Sequence, residues 1–185
     1  MLLLLIGSLD TLKINVYMKK HFLIILVALL LSGNAYAEWT VTTDKNEFEN
    51  TKSTYLISEK AYPNKKLNFP YENTEAKIIV GCSKYNEWVY FYFNVINLNY
   101  ERFNNDRDMI ADVSVRANDR TYVIEVYYET GSNFIMVSSL DKKKMLKYIS
   151  NNNSILVQFD HYGDGKRHYK FNTSNFQNTF NENCN

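Results

Sequence analysis

Lys77-Ile78-Ile79-Val80-Gly81-Cys82 is the stretch of the chain that decides the fold. It is a short β-branched run that ends in a cysteine, and such a run predicts a buried β-strand. The only other cysteine among the 185 residues is Cys184, at the second-last position. A disulfide between the two would join an early strand to the end of the chain. It would enclose nearly everything between them, which predicts one closed domain.

Residues 18–37 have the layout of a bacterial secretory signal peptide. Met18-Lys19-Lys20-His21 is a positive n-region, residues 22–31 form an apolar run, and Ala35-Tyr36-Ala37 is an A-x-A cleavage site. The apolar run is much shorter than the roughly 20 residues that a helix needs to span a bilayer. We therefore expect cleavage after Ala37 and a periplasmic or secreted protein. The alternative is an uncleaved membrane anchor.

The predicted mature chain covers residues 38–185 and is large enough for one domain with its own core. Residues 1–17 have no role in the signal, and we interpret them as a start-site extension upstream of Met18. Loss of residues 1–37 removes three lysines and one aspartate, which leaves 18 basic and 19 acidic residues and a net charge of −1. Such a chain has no basic field to hold nucleic acid or an anionic membrane. Cleavage also removes the apolar run, so we expect no stable membrane span.

Export favours pairing of Cys82 with Cys184, because two cysteines in an oxidising compartment usually form a disulfide. Closing a loop of this length stabilises the fold by roughly 4–5 kcal/mol in the chain-entropy account. The alternative is a reactive or metal-binding thiol. Neither a C-x-x-C motif nor a neighbouring histidine supports it.

The rest of the chain predicts a mainly β fold. It holds 15 tyrosines and 11 phenylalanines but only two prolines, and short apolar runs alternate with Asn, Asp, Gly and Lys clusters. This pattern is typical of an antiparallel β-sandwich or small barrel with one or two short helices. The predicted strands cover residues 39–43, 53–60, 77–82, 87–95, 109–117, 121–129, 134–138, 155–160 and 168–171. Residues 44–50 are predicted as a polar turn and residues 61–75 as a loop.

Three local patterns make sharper predictions. Residues 88–95 are apolar or aromatic almost throughout, which predicts a strand covered on both faces. In the next long strand, Ile110, Val113 and Val115 form the predicted buried face. Asp141 is the predicted N-cap of a helix over residues 142–150, and residues 174–180 predict a final helical turn.

The densest polar cluster runs from Asp160 to His168 and contains both histidines that remain after cleavage. A histidine beside an aspartate has the chemistry of a general base, but no nucleophile motif accompanies it. Glycine and charged residues in this mixture are typical of a hairpin tip, and a tip can also bind a partner. The candidate contact residues here are His161, Tyr162, Asp164, Arg167 and His168.

A second candidate tip joins the strands 109–117 and 121–129. Its candidate contact residues are Arg116, Asp119 and Arg120. An arginine at such a tip can pair with a carboxylate of a partner. The alternative is an ordinary turn with a charged rim.

Metal binding is the remaining interpretation of the polar clusters. Two sets of residues have suitable side chains: Asp160, His161, Asp164 and His168, and Asp106, Asp108 and Asp112. The first set lacks a standard ligand spacing, and the second lacks the glycine and closing glutamate of a calcium loop. We therefore predict no metal site and no cofactor.

The order of these motifs resembles the VasI/TagO family of type VI secretion-associated exported proteins. The matching positions are Trp39, Cys82, Arg116, Asp119, Tyr162, Gly163, Phe171 and Cys184. The sequence departs from the family pattern at Asp160-His161, before Tyr-Gly, and at Asn172, where the family has aspartate. The resemblance implies a disulfide-bonded exported β protein and no catalytic residues.

We therefore predict a non-enzymatic periplasmic accessory or interaction protein that acts on another envelope protein or on a cell-wall component. One alternative is a mobile-element-encoded envelope inhibitor or exclusion factor. Another is an envelope hydrolase that uses His161 or His168.

Overall fold

Strand β3 (Ala76–Ser83) contains the cysteine-ended run and lies between β2 (Thr51–Ile57) and β4 (Glu87–Phe93). The computed structural model describes residues 39–47 and 51–184. The predicted start-site extension and signal peptide lie outside these residues, so they stay predictions. The remaining strands are β1 (Thr40–Asn46), β5 (Arg102–Phe103), β6 (Met109–Ala117), β7 (Arg120–Tyr128), β8 (Phe134–Val137), β9 (Ser154–His161) and β10 (Gly165–Asn172). The helices are α1 (Lys142–Ser150) and α2 (Phe176–Cys184).

The strands form one antiparallel sheet in the order β1-β2-β3-β4-β8-β7-β6-β9-β10, with β5 beside β6. The sheet does not close into a barrel. It folds over, so that β4 faces β9 and β10: the ring of Phe91 lies 5.1 Å from that of Phe159, and Phe93 lies 5.4 Å from Tyr169. The predicted mainly antiparallel β class is confirmed.

The core is built from every second residue of the facing strands. Ile78 and Val80 of β3, Phe91 of β4, and Val157 and Phe159 of β9 are all buried. Helix α1 adds Met145 and Ile149, and α2 adds Phe176. In the described part of the chain, neither helix is long and apolar enough to cross a membrane.

The predicted disulfide is confirmed. Cys82 and Cys184 are 102 residues apart in sequence, and their Cα atoms are 5.7 Å apart. The bond joins the end of β3 to the end of α2. At the start of α2, the Trp39 ring packs on Phe176 at 4.9 Å, and Trp39 Nε1 donates to the Ser174 carbonyl.

Two predictions of buried faces were wrong. Ile110 lies on the outer face of β6, because the inner face is formed by Ala111, Val113, Val115 and Ala117. Ile110 is an odd number of residues away from Val113 and Val115, so it points to the opposite face of the strand. The small Ala111 and Ala117 take the buried positions instead. In β4, only Val89, Phe91 and Phe93 are fully buried; the alternate side chains are partly exposed.

One local prediction near a turn was wrong, and one was confirmed in position only. Residues 44–46 are not a turn: they pair with residues 51–53 and extend β1 along the edge of the sheet, where the side chains of residues 44 and 45 are exposed. Asp141 is the N-cap residue of α1, as predicted, although its side chain makes no capping hydrogen bond. Its carboxylate instead accepts hydrogen bonds from the Glu125 backbone N–H at 2.9 Å and from Lys144 Nζ at 2.7 Å.

Candidate functional site

The two predicted hairpin tips lie at opposite ends of the sheet. Arg116, near the β6–β7 tip, is paired with Leu156 near the start of β9, whereas the β9–β10 tip follows the end of β9 at His161. The structure therefore does not bring the two sets of candidate contact residues together. They cannot form one composite site on this fold.

The β6–β7 tip is exposed, and the ion pair between its charged side chains is long. Arg116 Nη2 and Asp119 Oδ1 are 3.9 Å apart, and both side chains are more than half exposed. Arg120 is also exposed. An ion pair of this kind adds little to stability, so these three side chains are free to meet a partner. Arg116 and Asp119 border an open cleft of about 590 Å³ that Lys170 also lines.

His161 belongs to the core, which corrects its prediction as a surface contact. Its imidazole is fully buried. Nδ1 lies 3.0 Å from the Asn97 carbonyl, to which it donates, and Nε2 accepts from the Tyr169 hydroxyl at 3.0 Å. Burial lowers the pKa of His161 from 6.5 to about 4. The ring is therefore neutral in the folded protein.

Asp164 is also structural, since its side chain is only 3% exposed. Both carboxylate oxygens accept from the Asn68 backbone N–H, at 3.1 and 3.2 Å, and Oδ1 accepts from Arg167 Nη2 at 3.3 Å. Together Asp164 and Arg167 tie the long loop before β3 to the β9–β10 tip. The polar groups of Asp164 and Arg167 therefore bind other parts of the same chain.

The two remaining candidates, His168 and Tyr162, differ in how far their side chains are available to a partner. His168 Nε2 accepts from the Gln158 side-chain amide at 2.6 Å, and its backbone N–H donates to Asn64 Oδ1 at 2.9 Å. Tyr162 is 73% exposed. Of the five candidates at the β9–β10 tip, Tyr162 thus presents the most accessible side chain.

A different surface has the character of a binding site: the outer face of β2, β3, β4 and β8. We call it the aromatic face. Its apolar and aromatic side chains share one side of the sheet and are all at least partly exposed: Tyr55, Ile57, Ile79, Trp88, Tyr90, Tyr92, Phe134 and Met136. Lys77, opposite Tyr92, is a charged residue on the same side. Cross-strand pairing places Ile57, Ile79, Tyr90 and Met136 in one continuous row.

Gly81 shapes one end of this face. It lies opposite Tyr55 on one side and Trp88 on the other. A Cβ at position 81 would lie only 1.9 Å from Trp88 Nε1, so the indole fills the space that a side chain would occupy. The Tyr55 ring meets the indole edge-on at 5.9 Å. Because Gly81 has no side chain, the Trp88 indole can pack against the backbone of β3 at this position.

Phe134 forms the opposite wall. Its ring lies 6.2 Å from that of Tyr90 and 5.2 Å from that of Tyr92. Between the walls is an open groove of about 680 Å³, a volume in the usual range for ligand sites. The groove is lined by Thr42, Tyr55, Ile57, Ile79, Trp88, Tyr90 and Phe134.

The other half of the same sheet has a mostly polar outer face. Its outward polar side chains are Asp112, Ser114, Arg116, Glu125, Gln158, Asp160, Lys166, His168 and Lys170, and its outward apolar or aromatic side chains are Ile110, Val123, Tyr127 and Leu156. A solvated antiparallel sheet normally alternates in this way, apolar inside and polar outside. The aromatic face departs from that rule most strongly, because large rings take the place of polar side chains there. An apolar patch of this kind marks an interaction surface.

The chemistry of the aromatic face suits recognition. Tyrosine and tryptophan combine a large apolar ring with one polar group, and both are enriched at binding hot spots. Burial, with smaller contributions from Tyr55 and Tyr127, raises the pKa of Tyr90, so its hydroxyl stays protonated and can donate a hydrogen bond. Among the described residues, no group of three or more His, Cys, Asp or Glu could hold a metal ion.

The sequence pattern of residues 88–93 indicated this surface, but it predicted a buried face and not an exposed one. Residues 88–93 alternate between two apolar sets, which predicts cover on both faces. In the structure the outer side chains of β4 are partly exposed, and their ring contacts are with Tyr55 and Phe134 on the same face. Comparisons with protein-family models, curated proteins and solved structures found no match.

Proposed function

We propose that this chain is an exported, non-enzymatic interaction protein of the bacterial envelope, and that the aromatic face binds a protein partner. The observation that carries the proposal is the one-sided outer surface of the sheet. Large aromatic and aliphatic side chains dominate one half, whereas most of the outward side chains on the other half are polar. Export is inferred from the signal-peptide pattern of residues 18–37, and the Cys82–Cys184 disulfide supports an oxidising compartment.

Trp88 is the expected centre of binding. It is held in place by Gly81 below and Tyr55 beside it, so little side-chain freedom is lost when a partner covers it. Rigid, half-exposed aromatic side chains of this kind are typical hot spots, each contributing about 2 kcal/mol or more. The surrounding rings can exclude water from the contact.

The hydrolase alternative depends on His161 or His168. The first is buried between Asn97 and Tyr169, and the second is paired with Gln158. Both imidazoles have structural partners, which favours the non-enzymatic proposal. A role in type VI secretion rests on the family resemblance of the sequence, and an inhibitor or exclusion factor would use the same surface.

The proposal is tested with two matched double variants made in the exported protein. Trp88→Ala with Tyr90→Ser removes two rings from the aromatic face, and Lys166→Ala with Lys170→Ala removes two exposed side chains from the polar face. Neither pair belongs to the buried core. Both variants are expected to melt within a few degrees of the wild type.

Crosslinked capture from the native envelope then compares the recovery of one identified partner. The aromatic-face variant should lose about thirtyfold in affinity for a hot spot of about 2 kcal/mol, whereas the polar-face variant should bind like the wild type. Equal binding by the folded aromatic-face variant would contradict the proposal. Recovery of a cell-wall glycan instead of a protein would overturn the assignment of the partner.

A further inference from the structure

Strand β1 is one edge of the sheet in the described part of the chain. Among residues 39–47 and 51–184, β2 is the only strand that pairs with β1. The side chains of residues 40–45 are exposed on both faces of the strand. An edge of this kind presents unpaired backbone N–H and C=O groups that can pair with another chain.

The opposite edge of the sheet is covered by the chain itself. The loop before β3 lies along β10, where Pro63 forms a bridge with Tyr169. The Asn64 N–H donates to the His168 carbonyl at 2.8 Å, and the His168 N–H donates to Asn64 Oδ1 at 2.9 Å. Among the residues that the structure describes, the chain therefore covers the β10 edge, whereas β1 has β2 as its one partner strand.

The sequence of the first four residues of β1 favours strand pairing. Thr40-Val41-Thr42-Thr43 is a run of four β-branched residues without proline or charge. Such residues have high β propensity. Charged side chains, which usually protect exposed edges, occur only at Asp44 and Lys45.

We propose that a second copy of this chain pairs with β1 in antiparallel orientation, with Thr43 facing Thr43 of the partner subunit across a two-fold axis. An axis perpendicular to the sheet keeps the two outer faces on the same side, so each residue meets one that points the same way. Centring the pair on Asp44 or Lys45 would place like charges opposite each other, which is destabilising.

The Thr43-centred register avoids those clashes and uses all seven residues of the strand. Val41 then lies opposite the partner's Lys45, and Thr42 lies opposite the partner's Asp44. The two sheets become continuous, and both aromatic faces lie on the same side of the dimer. This inference rests on the β1 edge and does not depend on the proposed function.

The test reads the oligomeric state of the exported protein by sedimentation over a range of concentrations. Thr43→Lys and Thr43→Glu each place two like charges at the axis, so each variant should dimerise about fivefold more weakly than the wild type. An equal mixture of the two variants should recover dimers, because opposite charges then meet. Thr43 is exposed, so the fold of both variants should persist.

The matched controls are Thr121→Lys and Thr121→Glu, which change an exposed threonine on β7. They should dimerise like the wild type, alone and mixed. A wild type that stays monomeric across the concentration range would overturn the proposal. So would Thr43 variants that dimerise normally, or a mixture that gains nothing over its separate components.

Discussion

At the residue scale, His161 shows how a group with catalytic chemistry becomes part of a core. Its ring lies among Phe93 and Tyr169, and both ring nitrogens have hydrogen-bond partners. Burial also raises the pKa of Tyr169, so its hydroxyl remains a donor to the imidazole. The pair is therefore neutral across the physiological pH range.

This arrangement predicts a pH-dependent stability. The unfolded chain protonates His161 near its ordinary pKa of 6.5, whereas the folded protein does so only near about 4. The unfolded state thus binds more protons between these values, and the free energy of unfolding should fall by about 3 kcal/mol as the pH drops through this window. Denaturant unfolding at several pH values between 4 and 7 measures this loss.

His161→Gln is the control, because an amide can still donate to Asn97 and accept from Tyr169 without titrating. The variant should lose most of the pH dependence between 4 and 6.5. A slope as steep as that of the wild type would mean that another group causes it.

Sequence patterns predicted some of these residue roles and missed others. The alternation Ile155, Val157, Phe159 continues to His161, and this parity was a signal for its burial. The charged neighbours of His161 instead favoured a polar tip. The role of Gly81 had no local signal, because the ring that fills its place comes from another strand.

At the element scale, the disulfide is the main covalent constraint on the described fold. It ties β3, in the middle of one half of the sheet, to α2 at the end of the chain. The sequence predicted this bond and most strands, since periodicity and turn residues are local. It did not predict that β4 pairs with β8 or that β6 pairs with β9, because those neighbours are chosen by packing between distant segments.

Removal of the disulfide should lower stability without changing the fold. Cys82→Ala with Cys184→Ala opens a loop spanning 102 residues of sequence separation, and we expect a loss of roughly 4–5 kcal/mol in the free energy of unfolding. Urea unfolding of the variant and of the oxidised wild type gives this difference. The wild type under reducing conditions should unfold near the variant, whereas identical midpoints for all three samples would refute a stabilising bond.

At the scale of the whole molecule, one sheet carries two chemically different outer faces. The half with mostly polar outward side chains is close to the ordinary pattern of a solvated sheet, and the aromatic half is not. The fold places both predicted hairpin tips outside the aromatic face. Any partner that binds by the tips would therefore leave Trp88 and Tyr90 exposed, whereas a partner on the aromatic face would bury them.

The most direct measurement is site-specific photo-crosslinking in the native envelope. A photo-reactive phenylalanine analogue replaces Tyr90 on the aromatic face in one sample and Lys170 on the polar face in the other. We expect one specific protein adduct from position 90 and none from position 170. An adduct from position 170 with none from position 90, in folded protein, would contradict the aromatic face as the binding surface.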